Sequence, residues 1–205
     1  MRESVKIQLP ENLSDITLEQ SQKYISISGR DNLSDLDKTK KIVKLFTGLK
    51  TVEVDNMSIG DYESVILHIV SALNTEADFS SRFKLNGIEF GFIPNLDEIT
   101  AGEYIDLTSS GTNPDSLHKT MAILFRPITS TDGFGSYEIE PYTASTKHQE
   151  LMKKAPMNAV NGMMVFFCLL LKELQECTEK STEALVEAAR NNQTATLRNG
   201  DGTLV

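Results

Sequence analysis

The chain has 205 residues, enough for one large domain or two small ones, and at this length a core can form without a disulfide or a metal. Its composition, 40% hydrophobic and 24% charged, is that of an ordinary globular protein. The net charge of -9 argues against a large phosphate-binding surface, because nucleic-acid affinity comes mostly from Lys and Arg neutralising phosphates.

From the start, Ser4 to Leu9 alternates polar and apolar up to Pro10, the pattern of a short strand. Thr17-Leu-Glu-Gln20 is a capping box, in which hydroxyl and amide side chains satisfy orphan backbone N–H groups. It predicts a helix to about Ile27, stopped by Gly29. Ser34 opens a second helix that runs to about Phe46 and ends before Gly48. Its apolar side is Leu36, Ile42, Val43, Leu45 and Phe46, so Lys38, Lys40, Lys41 and Lys44 are expected on a solvated face rather than in a binding patch. Ser58-Ile-Gly-Asp61 starts a third helix. There Ile59, Tyr62, Val65, Ile66, Ile69, Val70 and Leu73 repeat at the spacing of one buried stripe.

The middle changes character. Phe83 and Leu85 precede Asn86-Gly87, and Ile88, Phe90 and Phe92 follow it. Two alternating runs around Asn-Gly predict a hairpin over about 81–92, since both central residues of a type I′ turn need positive φ. Thr100-Ala-Gly-Glu103 is a second capping box, before a short helix carrying Tyr104, Ile105 and Leu107 and a polar loop from Thr108 to Thr112. Asn113-Pro114 has the form of an N-cap followed by Pro at the first helical position. The helix behind it holds Leu117, Met121, Ile123, Leu124 and Phe125 and is expected to stop at Arg126-Pro127. Thr129 to Ser136 reads as an exposed loop and Tyr137 to Glu140 as a strand.

The last third is read as helical, with a first piece from Lys147 to Lys154 and a break at Ala155-Pro156. A long helix toward Asn191 follows. Its apolar run Met163 to Leu171 is shorter than the roughly 20 residues a bilayer requires, so a helix buried on all sides is expected. Glu173 to Arg190 is amphipathic and suited to lie against the core or a second protein. The resulting class is α+β, mainly α: a helical domain with a central β-hairpin and a long C-terminal helix. It spans 1–190 with a sub-boundary near 76–80, and 191–205 form a flexible polar tail.

Residues able to do chemistry are scattered. His68, His118 and His148 are far apart, without HxxxH or HExxH spacing, so no metal site is assigned, and His68 is expected to be half-buried beside its helix stripe. Cys168 and Cys177 are nine apart, on opposite sides of one continuous helix, which precludes a disulfide. Cys168, between Phe167 and Leu169, reads as a small core hydrophobe. There is no GxSxG, and Gly133-Phe-Gly135 and Gly200-Asp-Gly202 lack the Lys-Ser/Thr of a nucleotide loop. The pairs Asp97 and Glu98, Glu103 and Asp106, and Glu138 and Glu140 are candidates for acid–base work, with capping and solvated strand positions as the simpler roles. Met152, Met157, Met163 and Met164 read as core filler before adaptable binding surface. No catalytic, metal or cofactor residue is assigned, and the start of the sequence has no apolar run of signal-peptide type, which suggests a reducing interior.

The stretch from Phe83 to Leu107, a hairpin around Asn-Gly followed by Ile99-Thr-Ala-Gly-Glu103 opening a helix, resembles tail assembly chaperones of long-tailed bacteriophages. Ile16-Thr-Leu-Glu-Gln20, Met121-Ala-Ile-Leu-Phe-Arg-Pro-Ile128, Glu138-Ile-Glu-Pro-Tyr142 and Met163-Met-Val-Phe-Phe167 extend the likeness over most of residues 5–175. The resemblance implies a non-enzymatic helical protein that binds the tape-measure protein, and tail-tube subunits, in the host cytoplasm. It implies no catalytic residue, no cofactor, no nucleic acid and no membrane, and is compatible with homo-oligomers. The alternative is a structural virion component: a connector, tail-completion or capsid-associated protein.

Overall fold

A computed structural model describes residues 7–75, 78–95, 99–111, 113–144, 147–169, 172 and 182. The chain forms two compact units, Met1–Met163 and Met164–Val205. The described part of the first combines short helices with a four-stranded antiparallel sheet.

Of the strand expected over 4–9, residues 4–6 lie outside the described residues, and 7–9 have no regular structure. A 3-10 turn, Leu13–Asp15, is capped by the Asn12 side chain and leads to α1, Leu18–Ser28. The Thr17–Gln20 capping box is formed in full, with Thr17 Oγ1 accepting from Gln20 N and Gln20 Oε1 accepting from Thr17 N. Ser34 caps α2, Asp35–Thr47, and Gly48 ends it at φ 71°, in the left-handed conformation glycine adopts without strain. A short helix that propensity does not announce, α3 (Thr51–Asp55), precedes α4, Ile59–Asn74, capped by Ser58.

Strands β1 (Arg82–Leu85) and β2 (Ile88–Phe92) form the expected hairpin. Asn86 and Gly87 have φ of 49° and 81°, as a primed two-residue turn requires. Helix α5, Ala101–Ser110, starts with a complete Thr100–Glu103 capping box. It continues through the expected loop residues Thr108 to Ser110, where the hydroxyls of Thr108 and Ser109 fold back onto Ile105 O. Asn113-Pro114 opens a 3-10 turn, Pro114–Ser116, which runs into α6, Leu117–Leu124.

Arg126-Pro127 does not end in a loop. The chain passes straight from α6 into β3, Phe125–Thr131, which pairs with β2 and with β4, Tyr137–Ile139. Pro127 is tolerated inside this strand for a geometric reason. In an extended chain a residue's N and O point to the same side, and Pro127 O accepts from Glu140 N, just beyond the last residue of β4. The missing N–H therefore falls where the short strand has already ended. Sheet order is β1-β2-β3-β4.

The predicted helix from Lys147 to Lys154 contracts to one turn, α7 (Gln149–Met152). The chain then returns to its beginning: Leu18 N donates to Ala155 O at 2.9 Å, Glu19 N to Lys153 O at 2.8 Å and Met157 N to Ile16 O at 2.9 Å. Residues 157–169 are helical, and the remainder of the long C-terminal helix and the 191–205 tail lie outside the described residues, apart from 172 and 182. The run expected to be buried on all sides is not. Met163 and Phe167 are buried, but Val165, Cys168 and Leu169 are exposed, so the Cys168 thiol is at the surface rather than in the core. The run is apolar because one of its faces needs cover, and its composition alone cannot show that the opposite face meets solvent. Among the described residues no helix is long and apolar enough to cross a membrane.

The core has two parts. On one face of the sheet, Phe79, Phe83, Phe90, Phe92 and Phe125 meet with ring centroids 4.9–6.5 Å apart, edge-on or tilted except for the stacked pair Phe83 and Phe90. Ile16 before α1 and helical residues including Leu18, Met121, Leu124 and Met152 supply the rest. Met152, Met157 and Met163 are thus core side chains.

Candidate docking face and buried polar cluster

Helix α4 carries more apolar surface than the domain uses. Val65, Ile69 and Ala72 are buried. Ile59, Leu67 and Val70, at 78%, 70% and 48% exposure, face solvent with the half-exposed Ile66 beside them. At about 100° per residue these four share one sector of the helix, next to the buried one. The single buried stripe read from the sequence is therefore two adjoining faces, and the described residues cover only one of them. A helix apolar over both sectors looks from its spacing like a fully packed one, which is why the pattern misleads. His68, expected to be half-buried, is exposed on this helix.

The carboxylates expected as acid–base pairs are placed as follows. Asp97 and Glu98 lie outside the described residues. Glu138 is exposed and accepts from Ser130 Oγ at 3.0 Å, and Glu140 stands 3.9 Å from Lys147 Nζ. Glu103 and Asp106 belong to a cluster that no local motif foretells. Glu103 is buried; its Oε2 accepts from the N and Oγ1 of Thr100 at 2.7 Å each, and its Oε1 lies 2.8 Å from Arg126 Nη2. The ring of Tyr142 lies 5.9 Å from the Arg126 guanidinium, and the phenol donates to Asp106 Oδ2.

Burial and hydrogen bonding fix the charge states in this cluster. Burial, reinforced by the hydrogen bond to Asp106, pushes the Tyr142 phenol up to about 12, so it stays a proton donor. Burial draws the Arg126 guanidinium down, and Glu103 opposes that shift. Both oxygens of Glu103 are engaged, Oε2 by Thr100 and Oε1 by Arg126. The cluster ties the first turn of α5 to β3 and to the segment after β4.

No protein-family model, no curated protein and no solved structure matches the chain.

Two imidazoles complete the inventory. His118, on α6, is buried with Nδ1 lacking a hydrogen bond, and His148 packs edge-on to Phe90 at 5.3 Å with Nε2 lacking one. Burial holds both below the ordinary histidine range, helped by Lys153 at His118 and by Lys147 at His148. Among the described residues no group of His, Cys, Asp or Glu is placed to hold a metal ion. A consequence for stability follows. The unfolded histidines bind protons from about pH 6.5 downward while the folded ones resist, so stability is full above that pH and falls as pH drops through it. Urea midpoints measured between pH 7.5 and 5.5 should decline, and His118→Asn should flatten the decline; an unchanged slope would remove His118 from this role.

Proposed function

We propose that the protein is a non-enzymatic tail assembly chaperone of a long-tailed bacteriophage, which holds apolar helical segments of the tape-measure protein in the host cytoplasm until the tail tube encloses them. The observation that carries the reading is the uncovered apolar sector of α4. Binding an amphipathic helix through its apolar anchors needs such a stripe on a rigid element. The acids on α4 are Asp61 and Glu63, and it has no Lys or Arg, which suits a partner helix with basic flanks. The resemblance from Phe83 to Leu107 points the same way, and the engaged state of Glu103 and Asp106 favours binding over catalysis.

Co-expression with the tape-measure protein tests the reading. The expected result is a soluble complex that co-purifies, with the chaperone scarce in finished particles. Failure to co-purify would overturn the reading, and stoichiometric presence in particles would make the chain a virion component instead. Leu67→Glu with Val70→Glu should leave the fold intact, since both side chains are exposed. Losing two aliphatic anchors should weaken capture by at least about tenfold, given roughly 1.5–3 kcal/mol for each buried side chain. Undiminished capture by that variant would move the docking face off α4 without touching the chaperone reading.

A further inference from the structure

The Lys residues of α2 do more than wet one helix face. Lys41 and Lys44 converge with Lys23 of α1 and with Arg30, just beyond its end, around an open groove of about 410 Å³ whose floor includes Ile27 and Leu45. No described carboxylate lines it, although the chain as a whole carries a net charge of -9. Lys23 is held by Glu19 on its own helix at 2.6 Å, and Lys44 Nζ donates to Thr51 Oγ1 at 2.6 Å. Arg30 and Lys41 are exposed and make no ion pair among the described residues. Lys44, Arg30 and Lys41, which no described carboxylate pairs, repel one another around an aliphatic floor, and an anionic occupant relieves that repulsion.

We propose that this groove binds an acidic amphipathic peptide segment of a partner protein, with aliphatic side chains on Ile27 and Leu45 and carboxylates toward Arg30 and Lys41. The floor decides the class of ligand. A single-stranded nucleic acid uses aromatic platforms for its bases, and the lining holds none; a polyanion would also meet the net negative charge of the rest of the chain. A free phosphate would gain nothing from the aliphatic floor. The groove is opposite in sign to the flank of α4, so it serves a different segment from the one assigned there, and this inference stands apart from the chaperone reading.

The test is fluorescence anisotropy with the full chain and a labelled helical peptide carrying Leu at i, i+3 and i+7 between Glu residues. Saturable binding is expected, weakened at least about tenfold by Arg30→Glu with Lys41→Glu and comparably by raising salt to about 0.5 M. The same peptide with Ser for Leu should bind weakly. Circular dichroism checks the variant, and if it unfolds, the salt series and the Ser peptide on the unaltered chain decide. No saturable binding, binding indifferent to salt and to the leucines, or equal or tighter binding of an oligothymidine probe would each overturn the proposal.

Discussion

Replacing Phe125 with Ala should destabilise the fold by about 3–5 kcal/mol, the range for removing a buried aromatic ring from a core that cannot collapse around the gap. Phe125 is fully buried where α6 becomes β3, and its ring meets those of Phe79, Phe83 and Phe92. These come from three places: the segment before β1, β1 itself and β2. Closing the cavity would require the hairpin to move onto β3, which the register of Phe92 opposite Phe125 and Phe90 opposite Pro127 forbids. Urea unfolding should show a lower midpoint with an unchanged slope. Phe134→Ala, at a ring almost wholly in solvent, should shift it little. Similar midpoints for the two variants would show that the ring cluster is not the core of the sheet.

Arg126→Ala should cost a comparable amount, about 3–5 kcal/mol, because it strands the Glu103 carboxylate inside the protein with only Thr100 to satisfy it. Glu103→Ala should also destabilise from the other side, leaving unpaired a half-buried guanidinium whose Nε already lacks a hydrogen bond and removing the glutamate half of the α5 capping box. The informative variant is the double one. Glu103→Leu with Arg126→Met replaces the pair with apolar groups and should be milder than either single truncation, since neither charge remains unpaired. A double-mutant cycle without coupling would show that the two side chains do not meet as described.

The capping boxes at Thr17 and Thr100, the Ser34 and Ser58 caps and the Asn86-Gly87 turn were all legible in sequence, because each is decided by residues within four positions of one another. What depends on distant neighbours was not. Pro127 reads as a stop unless it is known that β4 ends before reaching it. Ile59 and Val70 fit a buried stripe, and only the position of the other helices reveals that no described residue covers them. The groove needed Arg30, beyond the end of α1, near Lys41 of α2, and a reading of α2 alone sees four lysines on a wet face. The clamp of Glu103 with Arg126 likewise joins a helix start to a strand, a distance no local pattern spans.

The hydrogen bonds joining Ile16, Leu18 and Glu19 to residues 153–157 also set an order of events during synthesis. Ile16 and Leu18, both buried in the finished protein, are made about 140 residues before Ala155 and Met157, whose backbone groups pair with them. Until then the opening turn of α1 waits with its apolar side chains bare, exposed to whatever holdase is at hand. Closure across so long an intervening chain is entropically slow, so this seam forms only once residues 153–157 have been made, rather than growing steadily outward from α1.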